Sequence, residues 1–215
     1  MRNTLVTMAA LALGATVGGA QSSNAVRLQL QPGSEISFTG TSSLHGFTCK
    51  TSTFDAQLSV DPEYAANLAG LARPLGAVNV TIPVRSLDCA NKGLTTNMLK
   101  ALKADQNATI TFRLDTYEID AASRTADAFT AQTVGSLQIA GRVRPIELRV
   151  RGERYPDGAV RARGERDMLM SDFGIKPPTM MFGAVKTGDR IVVKFDLRAR
   201  PRQVGSRGTA ETVAP

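Results

Sequence analysis

Tryptophan is absent from the 215 residues, histidine occurs once, at His45, and cysteine twice, at Cys49 and Cys89. Aromatic residues make up only 5% of the chain, which argues against a surface that stacks nucleic-acid bases in series. One histidine and no Cys-x-x-Cys leave too few donors for a metal site. A hydrolytic triad would need His45 together with an orienting carboxylate and a nucleophile. Asp172-Phe173-Gly174 matches the magnesium triplet of protein kinases, but no glycine-rich phosphate loop or catalytic-loop motif accompanies it, so the match is chance. No stretch approaches the ~18 apolar residues that a membrane-spanning helix requires.

The first twenty residues read as a secretory leader. A short basic start, Met1-Arg2-Asn3, precedes apolar, Ala-rich Leu5–Val17, and Gly18-Gly19-Ala20 offers small residues for cleavage. Cleavage after Ala25 is the alternative. The chain is therefore expected to be exported, periplasmic or secreted. In an oxidising compartment two cysteines and no others read most simply as one disulfide, Cys49 to Cys89, with two reduced, buried cysteines as the alternative. The net charge of +7 is concentrated as arginine in the second half. Arg142, Arg144, Arg149, Arg151, Arg161, Arg163, Arg198 and Arg200 mostly fall on the polar phase of predicted strands. They predict a solvated outer face or one that meets an anionic membrane surface.

The clearest pattern is Val134–Val150. Leu137 and Ile139 alternate with polar or small residues, and Ile146, Leu148 and Val150 do so again beyond Gly141 and Pro145. This is a β-hairpin with one buried face. Similar alternation marks Val26–Leu30, taken as an edge strand, then Glu35–Thr41, Thr48–Val60, Ala77–Val84 and Asn107–Ile119. Further strands are Phe129–Ile139, Arg149–Arg154, Val160–Arg166 and Ile191–Leu197. Pro83 marks its strand as an edge or a bulge. Asp61-Pro62-Glu63 starts a short helix to about Ala72, and Leu94–Lys103 has helical spacing suited to packing on the sheet or closing a barrel end. Asp167 and Asp172 read as turn and capping groups. Residues 202–215 hold few apolar side chains and are expected to be a disordered tail. The sum is an all-β domain over residues 26–200, of about eight strands with one or two short helices, as a sandwich or a barrel.

Four motifs in order give this domain a family resemblance. They are Gly40-Thr41-Ser42-Ser43-Leu44-His45 followed by Cys49; Val84-Arg85-Ser86-Leu87-Asp88-Cys89 with Met98–Asp105; the Gly-x-Leu-x-Ile-x-Gly-x-x-x-Pro-x-x-Leu pattern of Gly135–Leu148; and Ser171–Pro178. The chain resembles the YceI-like proteins of the bacterial periplasm. The resemblance implies a single extended antiparallel lipocalin-like β-barrel around an apolar tunnel that binds polyisoprenoid or another long-chain amphiphile. It also supports pairing of the two cysteines. Gly46-Phe47 stands where relatives often carry Asp-Trp, and Asn107-Ala108 where His-Pro is common; these departures bear on the ligand's polar contacts rather than on the fold.

The expected function is a non-catalytic, exported lipid-binding protein that needs no cofactor or metal. Its candidate tunnel residues are Ile36, Phe38, Phe54, Val80, Ile82, Ile110, Phe112, Leu137, Ile139, Leu148, Phe173, Ile175, Met180, Met181 and Phe182. The last five belong to the Met-rich stretch Met168–Gly183, where methionine suits either an adaptable ligand wall or ordinary core filling. His45 and Arg144, the latter placed in a turn, are the candidate head-group contacts. The rival is an exported structural β domain with a packed core whose basic face meets envelope components. An enzyme acting on a lipid-like substrate would need titratable groups clustered around His45. The expected partners are a long-chain lipid, an anionic membrane surface and a second copy of the chain, and not nucleic acid.

Overall fold

The computed structural model describes residues 25–65, 75–180 and 184–202. The expected leader, the later part of the helix expected after Asp61, and the expected tail beyond Arg202 lie outside the described residues.

Among the described residues, eleven strands follow one another: β1 (Val26–Leu30), β2 (Glu35–Ser42), β3 (Gly46–Thr51), β4 (Asp55–Val60), β5 (Leu75–Pro83), β6 (Thr109–Ile119), β7 (Ala128–Ile139), β8 (Arg142–Arg154), β9 (Val160–Leu169), β10 (Thr179–Met180) and β11 (Val185–Pro201). The α-helix α1 (Lys92–Ala101) lies between β5 and β6. Eight strands close a barrel in the order β1-β4-β5-β6-β7-β8-β9-β11 and back to β1, with every recorded pairing antiparallel. Closure matters because it leaves no strand edge open along the sealed part of the wall.

The free side of β11 is shared. Its last residues pair with β1, through Leu28↔Pro201 and Leu30↔Ala199, while Thr187–Asp196 pairs with β2. The two ends of the barrel are therefore completed differently. At one end β1 bridges β11 to β4. At the other the wall runs β11-β2-β3, and β3 is stitched to the segment after β5. Lys50 N–H donates to the Asp88 carbonyl at 2.8 Å, Asp88 N–H donates back to the Lys50 carbonyl at 2.9 Å, and Cys49 is disulfide-bonded to Cys89.

Strict alternation builds the interior. On β7 the residues Phe129, Ala131, Thr133, Gly135, Leu137 and Ile139 are all buried, and their neighbours are more exposed. Thr133, a buried polar residue, is satisfied by donating its hydroxyl to the Leu148 carbonyl at 3.1 Å. Room for rings comes from glycines on facing strands. Gly152 is paired with Phe129, and a Cβ on it would come within 2.5 Å of that ring; Gly164 under Phe195 repeats the arrangement. The turn after β7 is Ala140-Gly141, both with positive φ (48° and 78°).

Three expectations are corrected. Val26–Leu30 is not an edge strand, because it pairs on both sides. Pro83 is at the end of β5, which is flanked by β4 and β6, so it makes neither an edge nor a bulge. Pro145 and Arg144 are in β8 opposite Ser136 and Leu137, not in a turn. Pro145 is tolerated there because this part of β8 has no ladder partner on its β9 side, so no cross-strand bond needs its missing N–H. Of the helix expected after Asp61, residues Pro62–Ala65 form a 3-10 turn, with Glu63 N–H donating to Asp61 Oδ1 at 2.9 Å.

Candidate functional site

The inward phases of the strands enclose two apolar chambers. The larger, of about 220 Å³, runs through the half of the barrel closed by β1. Its wall is apolar apart from Gly152 and the polar residues Ser59, Thr133, Glu153, Arg161 and Arg166. The smaller, of about 160 Å³, lies under α1, with Ser37, Asn97 and Thr187 as its polar residues. Ile36, Leu137, Met168 and Val193 line both chambers, so these four side chains stand between the two. The two chambers lie side by side along the barrel interior and are lined almost wholly by apolar side chains, which suits a linear apolar ligand better than a compact polar one.

Helix α1 caps the smaller chamber. Asn91 is its N-cap and accepts a hydrogen bond from Leu94 N–H at 3.1 Å. Leu94, Met98 and Ala101, with Leu102 just past the helix, present one apolar face to the chamber. Cys49 and Cys89 line the same space, so the disulfide is part of its wall. The 3-10 turn Met170–Phe173 adds Met170 and buried Phe173. Ser171 fixes this turn to β11 by donating its N–H to Asp189 Oδ1 at 2.9 Å, and Arg144 Nε fixes it to β8 by donating to the Asp172 carbonyl at 2.9 Å.

Of the candidate tunnel residues, Ile36, Val80, Phe112, Leu137 and Leu148 line the larger chamber. Ile36, Phe38, Ile82, Ile110, Leu137, Ile139, Phe173 and Ile175 line the smaller. Phe54 is buried but borders neither; it packs with Val80, Ile82 and Leu197. Met180 is in β10, paired with Val185, and Met181 and Phe182 lie outside the described residues. His45 is exposed between β2 and β3, with Nδ1 2.9 Å from the Gly46 carbonyl. Arg144 is exposed on β8 and holds the Asp172 carbonyl, and neither residue borders a chamber.

The sequence reading missed much of the larger chamber. Leu28, Val60, Phe129, Val160, Leu197 and Ala199 all face it. Their signal was the same alternation, but their position opposite the better-marked strands depends on long-range closure. Arg166 was also missed. It stands on the inward phase of β9, between Gly164 and Met168 and opposite Val193, where the alternation calls for an apolar residue.

Several charged groups on the outside of the barrel form ion pairs. Arg151 and Arg163 share Glu153, each at 2.8 Å, and their contacts hold its carboxyl below the usual carboxylate range, chiefly through the Arg151 hydrogen bond. Arg161 holds Asp196 in a two-pronged pair that lowers the Asp196 carboxyl and raises the guanidinium further above its usual range. Asp167 is held below the usual range first by its hydrogen bond from Arg190. Among the described residues, no group of three or more His, Cys, Asp or Glu side chains is placed to hold a metal ion. Among them, too, no helix is long and apolar enough to cross a membrane.

Over residues 29–199 the chain matches the model of the YceI-like domain. No curated protein sequence matches it. Its fold is similar to that of Burkholderia cenocepacia BcnA, with a TM-score of 0.62 and 20% identity, covering 79% of this chain and 99% of that one. It is also similar to a polyisoprenoid binding domain from Saccharophagus degradans implicated in plant cell wall breakdown, with a TM-score of 0.59 and 12% identity over 82% of this chain and 98% of that one. The Campylobacter jejuni YCEI protein aligns at 0.54 and 18% identity, over 94% of this chain and all (100%) of that one. At these identities the likeness is one of fold.

Proposed function

This chain belongs to the YceI-like family, and we propose that it is an exported, non-catalytic carrier that holds a polyisoprenoid or another long-chain amphiphile along its barrel. The observation that carries the reading is the pair of apolar chambers that share Ile36, Leu137, Met168 and Val193 as lining, so that small movements of these side chains would let one chain run through both. Burial supplies the affinity: each methylene removed from water contributes about 0.8 kcal/mol, so a five-carbon isoprenoid unit contributes about 4 kcal/mol before ordering costs. The polar residues are too few to recognise a compact polar metabolite, whereas a repetitive hydrocarbon needs only width and length. The same space counts against a β domain with a solidly packed core.

Export is supported by the leader-like first twenty residues and by the Cys49–Cys89 disulfide, a bond suited to an oxidising compartment. The exposed arginines of the outer face would bring the carrier to an anionic membrane surface, where its ligand could be exchanged. Displacement of an environment-sensitive fatty-acid dye tests the carrier. Farnesol and longer polyprenols displace the dye from the wild-type protein, and Leu137→Trp, which enlarges a side chain standing between the two chambers, weakens the longer chains more than the shorter. Failure of the wild type to take up the dye or any of these chains overturns the reading.

A further inference from the structure

The barrel wall has a slit. Strands β8 and β9 pair from Arg154↔Val160 only as far as Arg149↔Glu165. Beyond that point β8 continues to Arg142 on its β7 side and β9 continues to Leu169 on its β11 side, without a recorded pair between them. The hydrogen bond from Arg144 to the Asp172 carbonyl closes the far end. Ile146 and Leu148 line one side of the slit, and Arg166 and Met168 the other; all four also line the larger chamber.

Arg166 is the odd member. It occupies an apolar-phase position yet is exposed, so it belongs to the chamber wall and to solvent at once. Among the described residues, no hydrogen bond or ion pair holds its guanidinium. The neighbouring carboxylates stand on the opposite phase and are engaged: Glu165 by Lys194 at 3.3 Å and Asp167 by Arg190 at 2.9 Å. Arg166 adds only a lesser attraction to Asp167, behind the Arg190 pair, and Glu147 faces away on the outer phase of β8. A cation so placed at the edge of an apolar chamber matches a ligand with a hydrocarbon body and an anionic end.

We infer that the β8–β9 slit is the head-group site and that Arg166 binds a phosphate or carboxylate at the end of the buried chain. This rests on the carrier reading and adds the chemistry of the ligand's polar end. Guanidinium suits the role because its fork of N–H donors matches these oxyanions and its charge is insensitive to pH.

Binding of dodecyl phosphate, dodecanol and inorganic phosphate to the full mature chain tests the site. The variants are Arg166→Met, which keeps the length and removes the charge, Arg166→Lys, and Arg149→Gln as a nearby outer-face control. Arg166→Met is expected to weaken dodecyl phosphate about tenfold, the size of one charge-assisted hydrogen bond in a partly solvated site, and to leave dodecanol unchanged. Arg166→Lys recovers part of the loss, and Arg149→Gln leaves both ligands alone. Inorganic phosphate does not compete at millimolar concentration. If Arg166→Met weakens both chains alike, or neither, the head-group assignment is wrong while chain binding stands. Competition by inorganic phosphate as strong as that of dodecyl phosphate would make Arg166 a free-anion site and overturn it too. A wild-type protein that binds neither chain overturns the carrier reading itself.

Discussion

Reducing the Cys49–Cys89 bond tests how the smaller chamber is held together. The bond joins residues 40 apart in sequence. On the chain-entropy account, closing a loop of that size removes about 13 cal/mol/K from the unfolded chain, or roughly 4 kcal/mol at 25 °C. The native structure keeps other ties across the same junction: two backbone hydrogen bonds between Lys50 and Asp88, and Thr51 Oγ1 donating to Ser86 Oγ at 2.9 Å. The stability loss is therefore expected to come from the unfolded state, with the native sheet retained. Urea unfolding of the oxidised and reduced protein, followed by far-UV circular dichroism, measures it. With a slope of about 2.5 kcal/mol/M, the reduced midpoint falls by about 1.5 M. Cys49→Ala/Cys89→Ala repeats the shift without reductant. A loss below about 1 kcal/mol, with the native spectrum unchanged, would refute the loop-entropy argument.

Three further outcomes follow from particular contacts. Gly152→Ala places a Cβ within 2.5 Å of the buried Phe129 ring and is expected to cost about 1–3 kcal/mol in urea unfolding, whereas an unchanged midpoint would mean the ring is free to move. Asp196 has a lowered carboxyl pKa in the folded state, because Arg161 donates to it. Its stabilisation is thus present above the unfolded carboxylate value of about 4 and is lost as the pH falls through the folded value. Asp196→Asn should therefore lower the thermal midpoint at pH 7, with the gap to wild type narrowing toward pH 3; a gap independent of pH contradicts the assignment. Asp189→Ala removes the acceptor that Ser171 N–H uses and is expected to speed amide exchange at residues 171–173 while leaving β7 protected. Equal exchange in both proteins would show that Asp189 does not fix the turn.

Much of the barrel is legible in the sequence because each strand carries a wet and a dry face. The alternation of β7 and the middle of β8 assigned Leu137, Ile139, Ile146, Leu148 and Val150 to one face; all but Ile139 line the larger chamber, and Ile139 and Leu137 line the smaller. The glycine of the Ala140-Gly141 turn was equally readable. What alternation cannot carry is which strands meet across the barrel. Val26–Leu30 has the composition of an edge, and only its pairing with Leu58–Val60 and Ala199–Pro201 makes it the closing strand. Pro145 punctuates the sequence but not the structure, because the local loss of β9 pairing removes the penalty for a missing N–H. Arg166 was the one visible contradiction in the alternation of β9. Its meaning depends on the slit beside it, which is a fact of register and not of composition.

If the two chambers hold a linear apolar chain, that chain should accompany the protein through purification. Mass spectrometry of the purified protein, intact under native conditions and again after organic extraction, tests it most directly. A stoichiometric bound species that extracts as an isoprenoid or acyl chain is the expected result. An empty protein that also takes up no added polyprenol or fatty acid would contradict it.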